Sequence, residues 1–290
     1  MKIDIYNEVT ERIIAQLEQG VIPWHKPWVG ANDCAISHAT GKPYSMLNQF
    51  LLGLPGEYLT FNQCKAEGGR IKKGAKAKII VFWNMIKTVK DEDDEEMEEV
   101  RMIPILKYFN VFHIDDCEGI KPRKNTDLPP VSAQPDEVAE SILTDYIQRE
   151  NIDFENTLSD RAFYRPATDS IRLPMMTQFE DTAEYYSTAF HEATHSTGHE
   201  SRLDRFEKNA AAAAFGSAAY SKEELTAEIG AACLLHHAGL ETPESFQNSA
   251  AYIQGWLKAL HDDKRLIVSA ASRAEKAVKY ILNITDENDD

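Results

Sequence analysis

Two histidines and a glutamate stand together in the segment HEATH, as His191, Glu192 and His195. If this segment is helical, residues four apart project from one face, so both imidazoles can reach one cation. Glu192 is then directed towards the solvent position beside such an ion, where a carboxylate can accept a proton. The spacing therefore predicts a hydrolytic metal site with Glu192 as general base. The alternative is a pair of surface histidines on an amphipathic helix.

A third metal ligand is needed if one position is to remain open for water. His199 does not fit the HExxHxxGxxH spacing, which would place a histidine where Ser201 stands. Ser221 and Glu224 form a capping-box pattern that opens a helix, and Glu224 is the preferred third ligand. The alternative for Glu224 is a carboxylate favoured by the helix dipole. A His, His, Glu set suits zinc, and also manganese or cobalt.

The same predicted helix carries further titratable residues. Glu228, four positions after Glu224, is predicted to support a metal-ligating histidine from behind. Glu223 should point nearly opposite the apolar face and be solvated. His236 and His237 are read as packing or surface residues.

Residues in the first half of the chain have the types that bind single-stranded nucleic acid. The segment PWHKPW places tryptophans beside a lysine, and positions 65–90 hold eight basic residues against one acid. Aromatic rings stack on bases while cations follow the backbone. The candidate DNA-binding residues are Trp24, Lys26, Trp28, Arg70, Lys72, Lys73, Lys76 and Lys78. The alternatives are core tryptophans and an ordinary solvated basic face.

The elements that position these residues indicate an α+β protein in two parts. An amphipathic helix opens the chain, and a basic segment leads into a hairpin with the acidic tip DEDDEEMEE at 91–99. A proline-rich stretch places a boundary near residue 130. We therefore expect a DNA-binding domain with its linker over 1–130. A mainly helical metallopeptidase domain with a small sheet should follow over 131–290.

Composition excludes several classes of protein. The formal charge of −16 argues against nucleic-acid binding, but eight acids cluster at 91–99 and the rest of the first 120 residues is net +4. The four cysteines show no CxxC spacing, which argues against thiolate metal sites and disulfide frameworks. The start of the chain lacks the apolar region of a signal peptide, and no stretch is long enough to span a membrane. These features predict a cytoplasmic location.

Several longer segments resemble one known family. PWHKPW, YLTFNQCKAEGGRIKKGAKAKIIVFW and VFHIDDCEG resemble the N-terminal single-stranded-DNA-binding domain of the ArdC antirestriction family. RAFYRPATDSIRLP, HEATHSTGH, SRLDR and YSKEELTAEIGAA resemble that family's zincin-like metallopeptidase domain. The long acidic segment at 91–99 is a departure from the family pattern.

The resemblance implies a plasmid-borne protein that protects incoming single-stranded DNA from host restriction during conjugation. By resemblance, His191 and His195 are metal ligands, Glu192 is the general base and Glu224 is the glutamate ligand. The partners would be single-stranded DNA and a host protein, with no membrane. The alternatives are a non-catalytic DNA-binding protein with a structural metal, a DNA-dependent protease for DNA-bound proteins, and a peptidase acting on a repressor.

Overall fold

The computed structural model describes residues 4–25, 34–89, 100–123, 135–159, 161–179, 181–206, 218–240 and 250–284. The fold is α+β, as predicted, with helices and small sheets in both halves. Lys26, Trp28, the acidic tip at 91–99 and the predicted boundary near residue 130 lie outside the described residues.

A mixed sheet organises the N-terminal half. Its strands are β1 (Ala35–Ser37), β2 (Gly56–Leu59), β4 (Lys78–Val89) and β5 (Val100–His113), in the order β1-β2-β5-β4. A separate pair consists of β3 (Arg70–Ile71) and β6 (Cys117–Glu118). Beyond the short pairing with β2, strands β4 and β5 continue as a long antiparallel ribbon.

In the part of this half that the structure describes, three helices accompany these strands: α1 (Ile5–Glu18), α2 (Met46–Leu52) and α3 (Phe61–Ala66). Helix α3 begins with a capping box, in which the Thr60 hydroxyl accepts a hydrogen bond from the Gln63 amide and the Gln63 side-chain oxygen accepts one from the Thr60 amide. The predicted amphipathic helix at the start of the chain is confirmed as α1, because Val9, Ile13 and Leu17 are buried along one side.

The C-terminal half is mainly helical. Helix α4 (Pro135–Glu150) precedes a small sheet with the order β7-β9-β8, formed by β7 (Asp153–Thr157), β8 (Phe163–Arg165) and β9 (Ser170–Pro174). Helices α5 (Thr182–Ser196), α6 (Ala218–Ala238), α7 (Ala250–Asp262) and α8 (Leu266–Ile281) follow. Helix α6 begins before Ser221, so the prediction that this residue opens the helix is wrong.

One hydrophobic core joins the two halves. Helix α1 packs against α7 and α8, and the Thr10 hydroxyl donates to the Lys264 carbonyl at 2.7 Å. The Trp24 ring stands edge-on to Trp256, with centroids 6.3 Å apart. Trp24 is completely buried and belongs to a short 3-10 turn, Pro23–His25. A buried indole offers no face to a base, so the predicted DNA contact of Trp24 is corrected to a core role.

No described helix is both long enough and apolar enough to cross a bilayer.

Candidate metal centre

Helix α5 carries the two histidines. The Asp181 side chain accepts a hydrogen bond from the Glu184 amide at 2.8 Å and caps the start of the helix. The helix ends at Ser196, two residues before Gly198. A β-carbon on Gly198 would lie 2.7 Å from the Phe206 ring, so this turn requires glycine for close packing.

The side chains of His191 and His195 converge. Their Nε2 atoms lie 3.1 Å apart, and each lies 3.6 Å from a carboxylate oxygen of Glu224 on α6. One donor atom from each residue can be chosen so that all three lie within 4.8 Å of one another. The structure therefore brings together the three residues that the sequence proposed as ligands.

These separations fit a small divalent cation. Tetrahedral ligands about 2.0–2.1 Å from zinc lie roughly 3.3–3.4 Å from one another, close to the observed 3.1 and 3.6 Å. Burial lowers the pKa of His191, but the hydrogen bond to Glu224 and the charges of Glu228 and Glu192 outweigh it and raise that pKa to about 9. The carboxylates thus give the site excess negative charge, which a divalent cation would neutralise.

Glu192 lies in the floor of an adjoining cleft. Its side chain is buried, and the cleft has a volume of about 720 Å³. Phe163 and Tyr164 of β8 line the cleft beside the histidines, and Phe206 lines it as well. A group the size of a peptide segment can therefore reach the metal-ligating atoms and the Glu192 carboxylate together.

Glu223 contacts the side of the His195 ring that faces away from the other candidate ligands. The prediction that Glu223 is solvated is therefore wrong. Its carboxylate lies 3.4 Å from Nδ1 of His195 and accepts a hydrogen bond from Arg205 at 2.8 Å. The Arg205 guanidinium also donates to the Thr194 carbonyl at 2.8 Å. Burial acts to raise the pKa of Glu223, but hydrogen bonds from His195 and Arg205 hold it below its ordinary value. The position of Glu223 on the helix predicts exposure to solvent, but the loop that carries Arg205 covers that side of α6.

The segment SRLDR ties the end of α5 to the neighbouring elements. Arg202 is almost fully buried, pairs with Asp169 before β9 and donates to the Ser196 carbonyl at 2.8 Å. The Tyr164 hydroxyl also donates to Asp169, at 2.8 Å. The two arginines of this segment therefore fix the site through contacts that the sequence pattern alone does not predict.

Glu228 and His199, the other titratable residues considered for this site, have different positions in the structure. Glu228 lines a smaller cavity of about 310 Å³ with His191, and its charge acts on that ring. His199 turns away to Ser201, with its Nδ1 atom 2.8 Å from the hydroxyl. Within the described ranges, the group of potential metal ligands contains His191, His195 and Glu224 but not His199.

The basic residues predicted to bind DNA lie at the surface around β3. Arg70 pairs with Glu118 at 2.5 Å, and the Lys72 ammonium donates to the Asp115 carbonyl at 2.6 Å. Lys73 and Lys76 are exposed, whereas Lys78 donates to the Leu52 carbonyl. Some of these cations therefore have local partners, and their contact with DNA stays a prediction.

These features define a zincin-like protein: the HExxH motif lies on one helix, a glutamate comes from the next helix, and a small sheet precedes both. The chain matches the zincin-like metallopeptidase family over residues 141–273 and the N-terminal domain of anti-restriction factor ArdC over residues 3–112. The chain belongs to the ArdC antirestriction family.

Two solved structures agree with this assignment. The metal-free crystal structure of antirestriction protein ArdC from plasmid R388 is 35% identical, covers 97% of each chain and superposes with a TM-score of 0.71. Its Mn(II)-bound form is 34% identical, covers 97% of this chain and 98% of that one, and gives a TM-score of 0.72.

A DNA primase TraC of Escherichia coli is 34% identical over 97% of this chain. The chain spans only 27% of that primase and 20% of a second TraC primase with the same identity and coverage of this chain. An uncharacterised protein of Sinorhizobium fredii is 31% identical over 96% of this chain and 91% of its own length.

Proposed function

We propose that this protein protects incoming plasmid DNA from host restriction during conjugation. In this proposal it binds single-stranded DNA through its N-terminal half and acts on a host protein through a zinc-dependent peptidase site. The observation that carries the catalytic part is the convergence of His191, His195 and Glu224 beside the buried Glu192 at an accessible cleft.

The residues of the cleft have separable roles. A divalent cation held by the two histidines and Glu224 would supply Lewis-acid polarisation of a substrate carbonyl. Glu192 takes the proton from the attacking water and returns it to the leaving amine. Glu223 and Arg205 hold the His195 ring in place.

Strand β8 offers a means of positioning an extended peptide. In the sheet formed by the described residues, β8 pairs with β9 on one side only and borders the cleft through Phe163 and Tyr164. An exposed strand edge can bind a peptide by main-chain hydrogen bonds. We therefore propose that the substrate backbone runs alongside β8 and presents its carbonyl to the site.

The catalytic proposal is tested by changing Glu192→Gln. This isosteric change removes the base while leaving the ligands, so metal content should be retained and cleavage of host-protein extract lost. Glu200→Gln, at an exposed position near the same helix, is the matched control and should behave as wild type. Undiminished protection of incoming DNA by the Glu192→Gln protein would remove proteolysis from the account.

A second candidate is a DNA-dependent protease that digests DNA-bound proteins. The continuous core between the halves favours it, because DNA bound to the N-terminal half would be held at a fixed position relative to the metal centre. This candidate predicts that single-stranded DNA stimulates cleavage of many DNA-bound proteins. Cleavage of one host protein at the same rate with and without DNA would argue against it.

The closed structural metal site is a weaker alternative. A structural zinc site has four protein ligands, whereas the described residues bring three together and leave access from the cleft.

The proposed DNA binding is tested separately by gel shifts on single-stranded and duplex DNA across a salt series. Absence of binding at low salt would remove the DNA-binding role.

A further inference from the structure

One face of the β4–β5 ribbon exposes aromatic rings. Phe82 on β4 and Phe109 on β5 are 45% and 47% exposed, and their ring centroids lie 6.0 Å apart. Tyr44 continues the row, with its ring 6.3 Å from Phe82. We call Tyr44, Phe82, Lys107 and Phe109 the ribbon face.

The strand register explains why these side chains share one side. Phe82 pairs directly with Lys107, and Phe109 pairs with Ile80, two residues before Phe82. Directly paired residues and those two apart lie on the same face of a sheet. Ile80 is buried in a core cluster against which Tyr44 packs. Phe82 and Phe109 therefore lie at the edge of this core, where the exposed part of the ribbon begins.

The opposite side of the ribbon provides a natural comparison. Trp83 and Tyr108 adjoin Phe82 and Phe109 in sequence and point the other way. They are 50% and 38% exposed, and Trp83 contacts Tyr6 of α1 at a centroid distance of 6.3 Å. The ribbon thus carries two aromatic pairs of similar exposure on opposite faces.

We propose that the ribbon face is where single-stranded nucleic acid stacks its bases on this protein. Bases stack on exposed aromatic rings irrespective of sequence, while a neighbouring cation contacts the phosphate. Phe82 and Phe109 supply the rings, and Lys107, directly across from Phe82, supplies the cation. This inference rests on the proposed single-strand binding and replaces Trp24 with residues that are accessible.

Charge favours nucleic acid over a protein partner at this face. Protein interfaces are depleted of lysine at their centres, whereas Lys107 lies among the rings of the ribbon face. Positions 34–84 and 105–123, which include this face, contain ten lysines and arginines against five acids. One of those acids, Glu57, is buried against His38 and contributes little to the outer surface. These two ranges are therefore net basic, whereas the eight acids at 91–99 lie between β4 and β5 in the sequence, so the cation that this face itself offers to a phosphate is Lys107.

The test compares the two faces of the ribbon in the full-length chain. Fluorescence anisotropy with labelled oligothymidine measures binding by wild type, by Phe82→Ser with Phe109→Ser, and by the matched control Trp83→Ser with Tyr108→Ser. We expect the first pair to weaken binding roughly fivefold or more per ring. The control pair should bind within about twofold of wild type.

Two further measurements identify the contact. An abasic strand of equal length has phosphates but no bases, so its affinity should be the same for wild type and the Phe82, Phe109 variant. Lys107→Ala, an exposed change that leaves the rings, should reduce the slope of log affinity against log salt by about 0.7. A Lys107 change without effect on the slope would argue against phosphate contact here.

The outcomes separate this inference from the proposal on which it rests. Failure of wild type to bind any single strand at low salt overturns both. If wild type binds single strands and the Phe82, Phe109 variant binds them with the same affinity, only the proposed role of the ribbon face is overturned. Equal loss from both aromatic pairs, or a changed oligomeric state in the Phe82, Phe109 variant by light scattering, also counts against the ribbon face and indicates a folding or self-association role.

Discussion

Glu223 should support both metal binding and folding, although it is not itself a proposed ligand. Changing Glu223→Gln keeps the side-chain shape and removes the negative charge between His195 and Arg205. Loss of a hydrogen-bonded partner behind a metal-ligating histidine costs about 10- to 100-fold in metal affinity. We therefore expect metal affinity to fall within that range.

The same change should destabilise the metal-free protein. The Glu223 and Arg205 side chains are only 13% and 6% exposed, so the substitution leaves a buried guanidinium without its counter-charge. Removing one member of a buried ion pair costs about 3–5 kcal/mol. Because the glutamine oxygen still accepts one hydrogen bond, we expect a loss near 3 kcal/mol in the free energy of unfolding.

Two assays separate these effects. Competition with a chromophoric chelator gives metal affinity, and urea unfolding in chelator gives the stability of the metal-free protein. Glu228→Gln is the informative comparison, since the sequence assigned the supporting role to Glu228. We expect the smaller loss of metal affinity from Glu228→Gln. Wild-type affinity after Glu223→Gln, with a larger loss after Glu228→Gln, would refute the assignment of Glu223.

Two further predictions concern the packing between helices and a polar cluster in the N-terminal half. A β-carbon on Gly230 would lie 2.6 Å from the Thr194 side chain, so Gly230→Ala should lower the free energy of unfolding by about 1–3 kcal/mol. Its control, Gly255→Ala, meets open space within α7 and should raise stability by up to about 1 kcal/mol. Burial lowers the pKa of His38, but hydrogen bonds to Glu57 and Glu67 outweigh burial and raise it. The contribution of protonated His38 to the free energy of unfolding should be complete below pH 6.5 and should be lost as the pH rises through the pKa of the folded state. In urea unfolding measured across this pH range, His38→Gln should abolish that pH dependence.

The histidine pair could be predicted because its spacing is local. Residues four apart on a helix face the same way in any fold, so the HEATH segment determines the relation between His191 and His195. Glu224 was chosen from a capping-box pattern whose helix start was wrong, and it reaches the histidines because α6 packs against α5. Local spacing therefore determined the histidine pair, whereas the third ligand depends on the packing of two helices.

Residues whose roles depend on distant neighbours could not be predicted in the same way. Trp24 is buried because Trp256, from the far end of the chain, packs against it. Glu223 is buried because the loop with Arg205 covers that side of α6. Phe82 and Trp83 adjoin each other on a strand and so face opposite ways, but only the packing around the ribbon shows that both remain half-exposed.

Metal analysis tests the central claim that His191, His195 and Glu224 hold one divalent cation. Wild type, His195→Ala, Glu224→Ala and the control His199→Ala would be equilibrated with zinc or manganese, desalted and measured by mass spectrometry. We expect one ion per chain in wild type and His199→Ala, and none in the other two variants. Stoichiometric metal in the Glu224→Ala protein would contradict the proposed third ligand, and stoichiometric metal in the His195→Ala protein would contradict the site itself.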